Sequence, residues 1–257
     1  MNKDILKPTI TFETKCYEKD WQFIVKNGLI AEMIDKCNYS FDRKVLFLNN
    51  FSNYNRVKQQ ADLLISKNII DEYYVVDEYA KKALGFFNLT KEDFKGGYYY
   101  SIAELVSIFL CETDYNLHFS GDAMMEKDCS FNWIDPAIRL MQQNADVLVA
   151  NPTWDHKYSE ARDECIEEDE NWFYSYGFSD QCYLIKVSDF RNDIYKCNHA
   201  YSERYPKYGG ELFEKRIDAY MRTNAKKRIT SKACSYEHNN FPKNRFDSLV
   251  RFLKKRM

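Results

Sequence analysis

The chain has 257 residues, with 37 Lys and Arg against 39 Asp and Glu, and a formal net charge of −2 leaves no basic excess for gripping nucleic acid. Hydrophobic content of 45% beside 30% charged residues fits a globular chain with a sizeable core and excludes a disordered or low-complexity protein. No apolar run reaches the ~18 residues of a membrane span, the first eighteen residues hold no apolar leader segment, and the eight cysteines lack metal spacing, so a cytoplasmic protein with reduced thiols is expected.

In chain order, Thr9 to Phe12 alternates β-branched and aromatic residues and predicts a first strand that ends at Glu13-Thr14. Asp20 to Cys37 carries apolar residues at helical spacing, and Lys44 to Leu48 is a short apolar run closed by Asn49-Asn50, which completes a β-α-β unit. Asn55 to Lys67 predicts a second helix, and Glu72 to Val76 a third strand. Ser101 to Cys111 is helical, and Tyr115 to Phe119 is a strand that runs into Ser120-Gly121-Asp122. Trp133 to Gln143 predicts a helix and Ala145 to Ala150 a strand ending at Asn151-Pro152. The acidic stretch Arg162 to Asn171 reads as a solvated face, Gln181 to Val187 as a strand, and Glu211 to Thr223 as a helix opened by Gly209-Gly210. Alternation of this kind predicts a single α/β domain over residues 1–244, with a mixed, mainly parallel sheet and helices on both faces.

Ligands of open α/β sheets collect beyond the carboxyl ends of the strands. Four places qualify: Glu13-Thr14, Asn49-Asn50, Asp122, and the Gly209-Gly210-Glu211 turn. No GxGxxG follows the first strand and no GxxxxGK[ST] occurs, which removes the usual dinucleotide and P-loop sites. A strand-end aspartate such as Asp122 has the chemistry to hold a divalent cation on a diphosphate, although taken alone it reads first as a turn residue. His238, alone, reads as a hydrogen-bonded structural histidine.

The order of these parts resembles that of GT-A nucleotide-sugar glycosyltransferases of the bacterial surface-glycan type, over roughly Pro8 to Phe241. Phe119-Ser120-Gly121-Asp122 looks like a reduced DxD motif, Tyr208-Gly209-Gly210-Glu211 like the glycine-glutamate segment beside the acceptor, and His238 like the C-terminal metal-ligand histidine. The resemblance implies that Glu13, Thr14 and Asn50 lie near the nucleoside, with Ser120 and Asp122 along the donor. It further implies that Asp122 and His238 bind Mn²⁺ or Mg²⁺, and that Glu211 faces the sugar or acceptor. Two positions depart from the pattern: Ser120 stands where the first Asp of DxD would be, and Leu212 follows Glu211 where many inverting members carry their base. The base is then Glu211, Glu214 or Asp180, or the enzyme retains configuration and needs none.

The function expected is transfer of a sugar, from a UDP-sugar in preference to other nucleotide sugars, to a glycan or lipid-linked acceptor in surface polysaccharide or lipopolysaccharide synthesis. A sugar nucleotidyltransferase is the alternative enzyme, but Glu13 to Asp20 contains no glycine for a triphosphate-binding loop. A catalytically inactive GT-A-like glycan-binding protein is the alternative from another class, and both departures would suit it. Residues 245–257 predict a separate basic amphipathic helix. Phe246, Leu249, Val250 and Leu253 form one stripe amid Arg245, Arg251, Lys254, Lys255 and Arg256, a pattern that suits peripheral contact with the inner membrane surface as well as packing on its own domain.

Overall fold

The structure, a computed structural model, describes residues 7–127, 129, 131–206, 210–238 and 241. The expected C-terminal helix at 245–257 and the Tyr208-Gly209 part of the glycine motif lie outside the described residues.

The chain begins with β1 (Ile10–Cys16), α1 (Leu29–Lys36), β2 (Arg43–Leu48), α2 (Asn55–Ser66), β3 (Glu72–Val75), α3 (Val76–Phe86) and α4 (Tyr98–Leu110). Next come β4 (Tyr115–Phe119), β5 (Ala123–Met125), α5 (Ile134–Gln143), β6 (Val147–Trp154), α6 (Tyr158–Asp163), β7 (Glu167–Glu168) and β8 (Trp172–Ser175). The last elements are β9 (Cys182–Lys186), α7 (Val187–Phe190), α8 (Phe213–Thr223) and β10 (Lys227–His238). The ten strands of the described residues join one sheet in the order β3-β2-β1-β4-β9-β6-β10-β8-β7, with β5 paired to β10 off this path. Strands β1, β2, β3, β4, β6, β7 and β10 share one direction, while β5, β8 and β9 run against them. This is the mixed, mainly parallel α/β sheet expected.

Successive side chains of a strand point to opposite faces, and here they enter different cores. Leu46 and Leu48 of β2 pack with α1, α2 and α5, whereas Val45 and Phe47 pack with α3 and α4. In β9, Cys182 and Leu184 join the first core, and Tyr183 and Ile185 join a cluster with α4 and α8. Helices therefore cover both faces, and the carboxyl ends of β1, β2 and β4 are left to form a common rim.

Several boundaries differ from expectation, three of them with a clear local cause. Strand β1 does not stop at Glu13-Thr14 but runs on to Cys16, because its polar positions find partners beneath α4. The expected helix from Asp20 to Cys37 is broken into a single π-turn at Gln22–Lys26 and α1, with Gly28 at φ +78° between them. Strand β6 continues through Pro152 to Trp154. Only Val149 and Ala150 pair with β9, so Pro152, which pairs with Ser231 of β10, sits where the β9 side of β6 is free.

Gly210 sits at φ +68°, and the Glu211 N–H that follows bonds to Phe94 O at 2.8 Å. A Cβ on Gly210 would stand 2.3 Å from Lys95 O and 2.8 Å from Gly97 N, both of them backbone atoms. Gly210→Ala is therefore expected to destabilise the fold by about 1–3 kcal/mol through forced backbone displacement, with added strain from the left-handed φ. Urea unfolding of the variant against the parent measures the loss; equal midpoints would disprove this close approach.

Candidate active site

Strand β4 ends at Phe119, directly before Ser120, Gly121 and Asp122. The turn is tight: a Cβ at Gly121 would lie 2.2 Å from Ile24 Cδ1 and 3.0 Å from Lys15 O. Strand β10 bends after Ser231 and pairs antiparallel with β5, so that His238 lies opposite Ala123, one residue beyond Asp122. As a result His238 Nε2 is 3.1 Å from Asp122 Oδ2. The Ser120 hydroxyl donates to Asp122 Oδ1 at 3.0 Å. Burial pushes the Asp122 carboxyl up, but the hydrogen bond and charge of His238, aided by Ser120, hold it below its ordinary range. His238 is raised, chiefly by its hydrogen bond to Asp122 and, against its own desolvation, by the charges of Asp122, Asp155 and Asp180. Its Nδ1 lies 3.3 Å from Gln181 Nε2, and its backbone N–H donates to Asp155 Oδ1 at 2.9 Å.

Because β9 is antiparallel to β4, its entry, Asp180-Gln181, stands on the same rim; Ser120 N–H donates to Gln181 O at 2.8 Å. Lys15, near the end of β1, forms an ion pair with the buried Glu104 of α4. Burial alone would lower the Lys15 ammonium, but Glu104, Asp180 and Glu13 hold it above its usual range. Glu214, in the first turn of α8, stands beside Asp180. Its carboxyl is pushed up to about 8, first by burial and then by the charge of Asp180, with Lys15 opposing. Asp20 is pushed up to about 7 by burial and by the charge of Asp122, against the hydrogen bond it accepts from Tyr17 N–H at 2.7 Å. On the β2 side, Asn50 at φ +58° donates from Nδ2 to Tyr99 O at 3.0 Å. Tyr99 and Tyr100 are both exposed there, edge to face at 5.0 Å.

The rim thus gathers Ser120, Asp122, Asp180 and His238, with Asn50 at its β2 edge. It does not gather Glu13, Thr14 or Glu211. Glu13 is 1% exposed and lies beneath α4, with Oε1 2.7 Å from His118 Nδ1. Thr14 is buried on the other face and its hydroxyl donates to Phe119 O at 2.7 Å, tying β1 to β4. Glu211 precedes α8 rather than opening it and is enclosed by Lys215 Nζ at 3.3 Å, Arg216 Nε at 3.6 Å and Lys95 Nζ at 3.7 Å. Sequence reasoning passed over Lys15, Asp20 and Gln181. The alternation Ile10, Phe12, Thr14 against Thr11, Glu13, Lys15, read two residues further, carries the signal for the first of these.

For a divalent cation the donor set fits in part from the protein alone. Among the described residues no three His, Cys, Asp or Glu side chains converge on one point. Asp122 and His238 supply one carboxylate and one imidazole, which suits Mn²⁺ or Mg²⁺ when phosphate oxygens and water complete the shell. Turning the Gln181 amide over would let its oxygen accept Nδ1–H and leave Nε2 free as a ligand.

No family model matches the chain, and no curated protein matches it in sequence. Among solved structures, glucosyl-3-phosphoglycerate synthase from Mycobacterium tuberculosis in complex with Mn²⁺, UDP and glucosyl-3-phosphoglycerate is similar over 95% of this chain and 75% of that one, at 11% identity and a TM-score of 0.49. The same enzyme in complex with Mg²⁺ and UDP is similar over 94% and 74%, at 13% identity and a TM-score of 0.48. A mycobacterial protein is similar over 92% and 69%, at 10% identity and a TM-score of 0.47.

The raised Glu214 carboxyl has a consequence for stability. The native chain keeps a proton that an unfolded glutamate releases above its ordinary 4.5, so stability falls as pH rises from about 4.5 to about 8. Glu214→Gln removes that slope, and the variant is expected to gain on the parent steadily between pH 5 and pH 8.5. Urea midpoints at the two pH values test it, and a pH-independent difference would contradict the buried, charge-crowded carboxyl.

Proposed function

We propose that the protein is a glycosyltransferase that moves a sugar from a nucleotide diphosphate sugar, UDP-sugars foremost, to a glycan or lipid-linked acceptor. The observation that carries this reading is the meeting of Asp122 and His238 at the strand-end rim, beside the carboxylates Asp180 and Glu214 and the ammonium of Lys15. The nucleoside is assigned to the rim edge where Asn50, Tyr17 and Tyr99 stand, and aromatic faces suit a base and ribose. The diphosphate then lies over Ser120 and Asp122. A divalent cation held by Asp122 and His238 would supply charge neutralisation for the leaving nucleoside diphosphate.

The acceptor side falls to Asp180 and Glu214. An acceptor hydroxyl oxygen bonds to the anomeric carbon, the anomeric C–O bond to the diphosphate breaks with its electron pair going to the leaving group, and the hydroxyl proton passes to Glu214. A base with its pKa near 8 is matched to proton transfer close to neutral pH. Asp180, beside Glu214, keeps that carboxylate basic by its charge. This arrangement implies inversion at the anomeric carbon, with Glu211 holding the entry to α8 through its three cations.

Asp122→Asn keeps the shape and removes the charge, so release of nucleotide from the best of a panel of UDP-, GDP- and TDP-sugars with Mn²⁺ is expected to fall at least ~100-fold. No turnover by the parent with any donor, across acceptors, would defeat the reading. A cytoplasmic enzyme of surface polysaccharide synthesis, working at the inner membrane surface, is supported by the basic apolar-striped segment 245–257. Full-length protein is then expected to sediment with anionic vesicles in a salt-sensitive manner, and protein lacking 245–257 to stay in the supernatant; equal sedimentation would remove the membrane contact.

A further inference from the structure

Next to the Asp180–Glu214 pair opens a cleft of about 390 Å³, with Trp154, Gln181, Arg204, Tyr205, Glu214 and Arg228 in its walls. Gln181 joins it to the donor side through His238. Two guanidinium groups converge on Gly177 at its far end. A Cβ at Gly177 would stand 2.8 Å from Arg204 Nη2, 3.3 Å from Arg228 Nη1 and 3.8 Å from Asp218 Oδ1, so the missing side chain leaves the space in which the two guanidinium groups meet beside one carboxylate.

The anions at hand leave these cations under-matched. Asp218 is fully buried and is held by Arg222 Nε at 3.0 and 3.1 Å; it also accepts from Ser202 and is reached by Arg204 Nη2 only at 3.4 Å. Glu164, half-exposed, meets Arg228 Nη2 at 3.3 Å. Arg204, Arg222 and Arg228 thus pair with two carboxylates among the described residues. Arg228 is 5% exposed, lies over the Trp154 ring at 5.4 Å, and has its Nε buried without a hydrogen-bond partner. A buried guanidinium N–H left unanswered is costly. The planar fork of arginine matches the paired oxygens of a carboxylate or phosphate.

We infer that this cleft is the acceptor subsite and that the acceptor carries an oxyanion, a carboxylate or a phosphate, seated between Arg204 and Arg228 above Gly177 with its reacting hydroxyl toward Glu214. The acceptor role rests on the glycosyltransferase reading, whereas the oxyanion site rests on the two arginines alone.

Titration calorimetry of the whole chain at pH 7, with no donor, uses three probes: glucose 6-phosphate, glucuronate and glucose. At least one anionic sugar is expected to bind and glucose not, and the anion preferred tells phosphate from carboxylate. Arg228→Gln and Arg204→Gln are each expected to weaken that binding at least tenfold. Arg204 has a side chain 44% exposed, so Arg204→Gln decides the matter even if Arg228→Gln fails to fold. Absence of anion binding, equal binding of glucose, or anion affinity unchanged in Arg204→Gln overturns the inference. Nucleotide release from UDP-glucose by the parent is followed separately. Turnover without arginine-dependent anion binding defeats the inference alone, and arginine-dependent binding without turnover of any donor keeps the site and defeats the glycosyltransferase reading.

Discussion

The pairing of β10 with β5 is the constraint on which the site depends. Strand β10 first lies between β6 and β8, then shifts register between Ser231 and Ser235 and lays its last three residues against Ala123–Met125. A straight strand would carry His238 away from β4. The irregularity turns it back across the rim, so a histidine 116 positions away in sequence reaches Asp122 at hydrogen-bond distance. Beyond the bend Tyr236 lines the neighbouring cleft, and Arg228, from the regularly paired part of the same strand, lines it too. Strand β10 therefore contributes to both halves of the candidate site.

Charge is handled differently in the sheet interior and at its rim. Beneath α4, Glu13 and His118 meet with almost no solvent, and Glu104 meets Lys15; these groups hold β1, β4 and α4 together, and removal of any one partner would leave a buried polar group without its mate. Glu211 does similar work where the Gly210 turn packs on the Phe94 to Gly97 segment. At the rim, by contrast, like charges crowd. Asp20 faces Asp122, and Glu214 faces Asp180, each with one member forced upward in pKa. Crowded carboxylates with perturbed pKa values are a mark of functional sites in general, which is why the rim and not the sheet interior is the candidate site.

Fold class, the β-α-β opening and the strand leading to Asp122 were legible in the sequence because each is a local pattern. Apolar residues at period two or 3.6, closed by Asn, Gly or Asp, define β2, α2, β4 and α5 nearly to the residue. Helix α3 was not legible, since β3 passes into it at Val75-Val76 with no glycine, proline or capping side chain to mark the change. Strand β10 was not legible either: Lys227 to His238 mixes charged, small and aromatic residues, because its two faces and its neighbours change along its length.

The sequence by itself marked Asn50 and Asp122 as candidates, polar residues at the ends of apolar runs, while Ser120, Asp180 and His238 entered only with the resemblance to GT-A glycosyltransferases. It did not determine how Glu13, Glu211 and Glu214 divide their roles. An isolated carboxylate reads the same whether it meets a buried histidine, a ring of lysines and arginines, or another carboxylate. Those neighbours come from strands and helices distant in the chain. Only the tertiary structure decided that Glu13 faces His118, that Glu211 is enclosed by Lys95, Lys215 and Arg216, and that Glu214 stands beside Asp180 at the open cleft. The physical reason is that a carboxylate's charge state and reach are set by what surrounds it through space, which local periodicity does not encode.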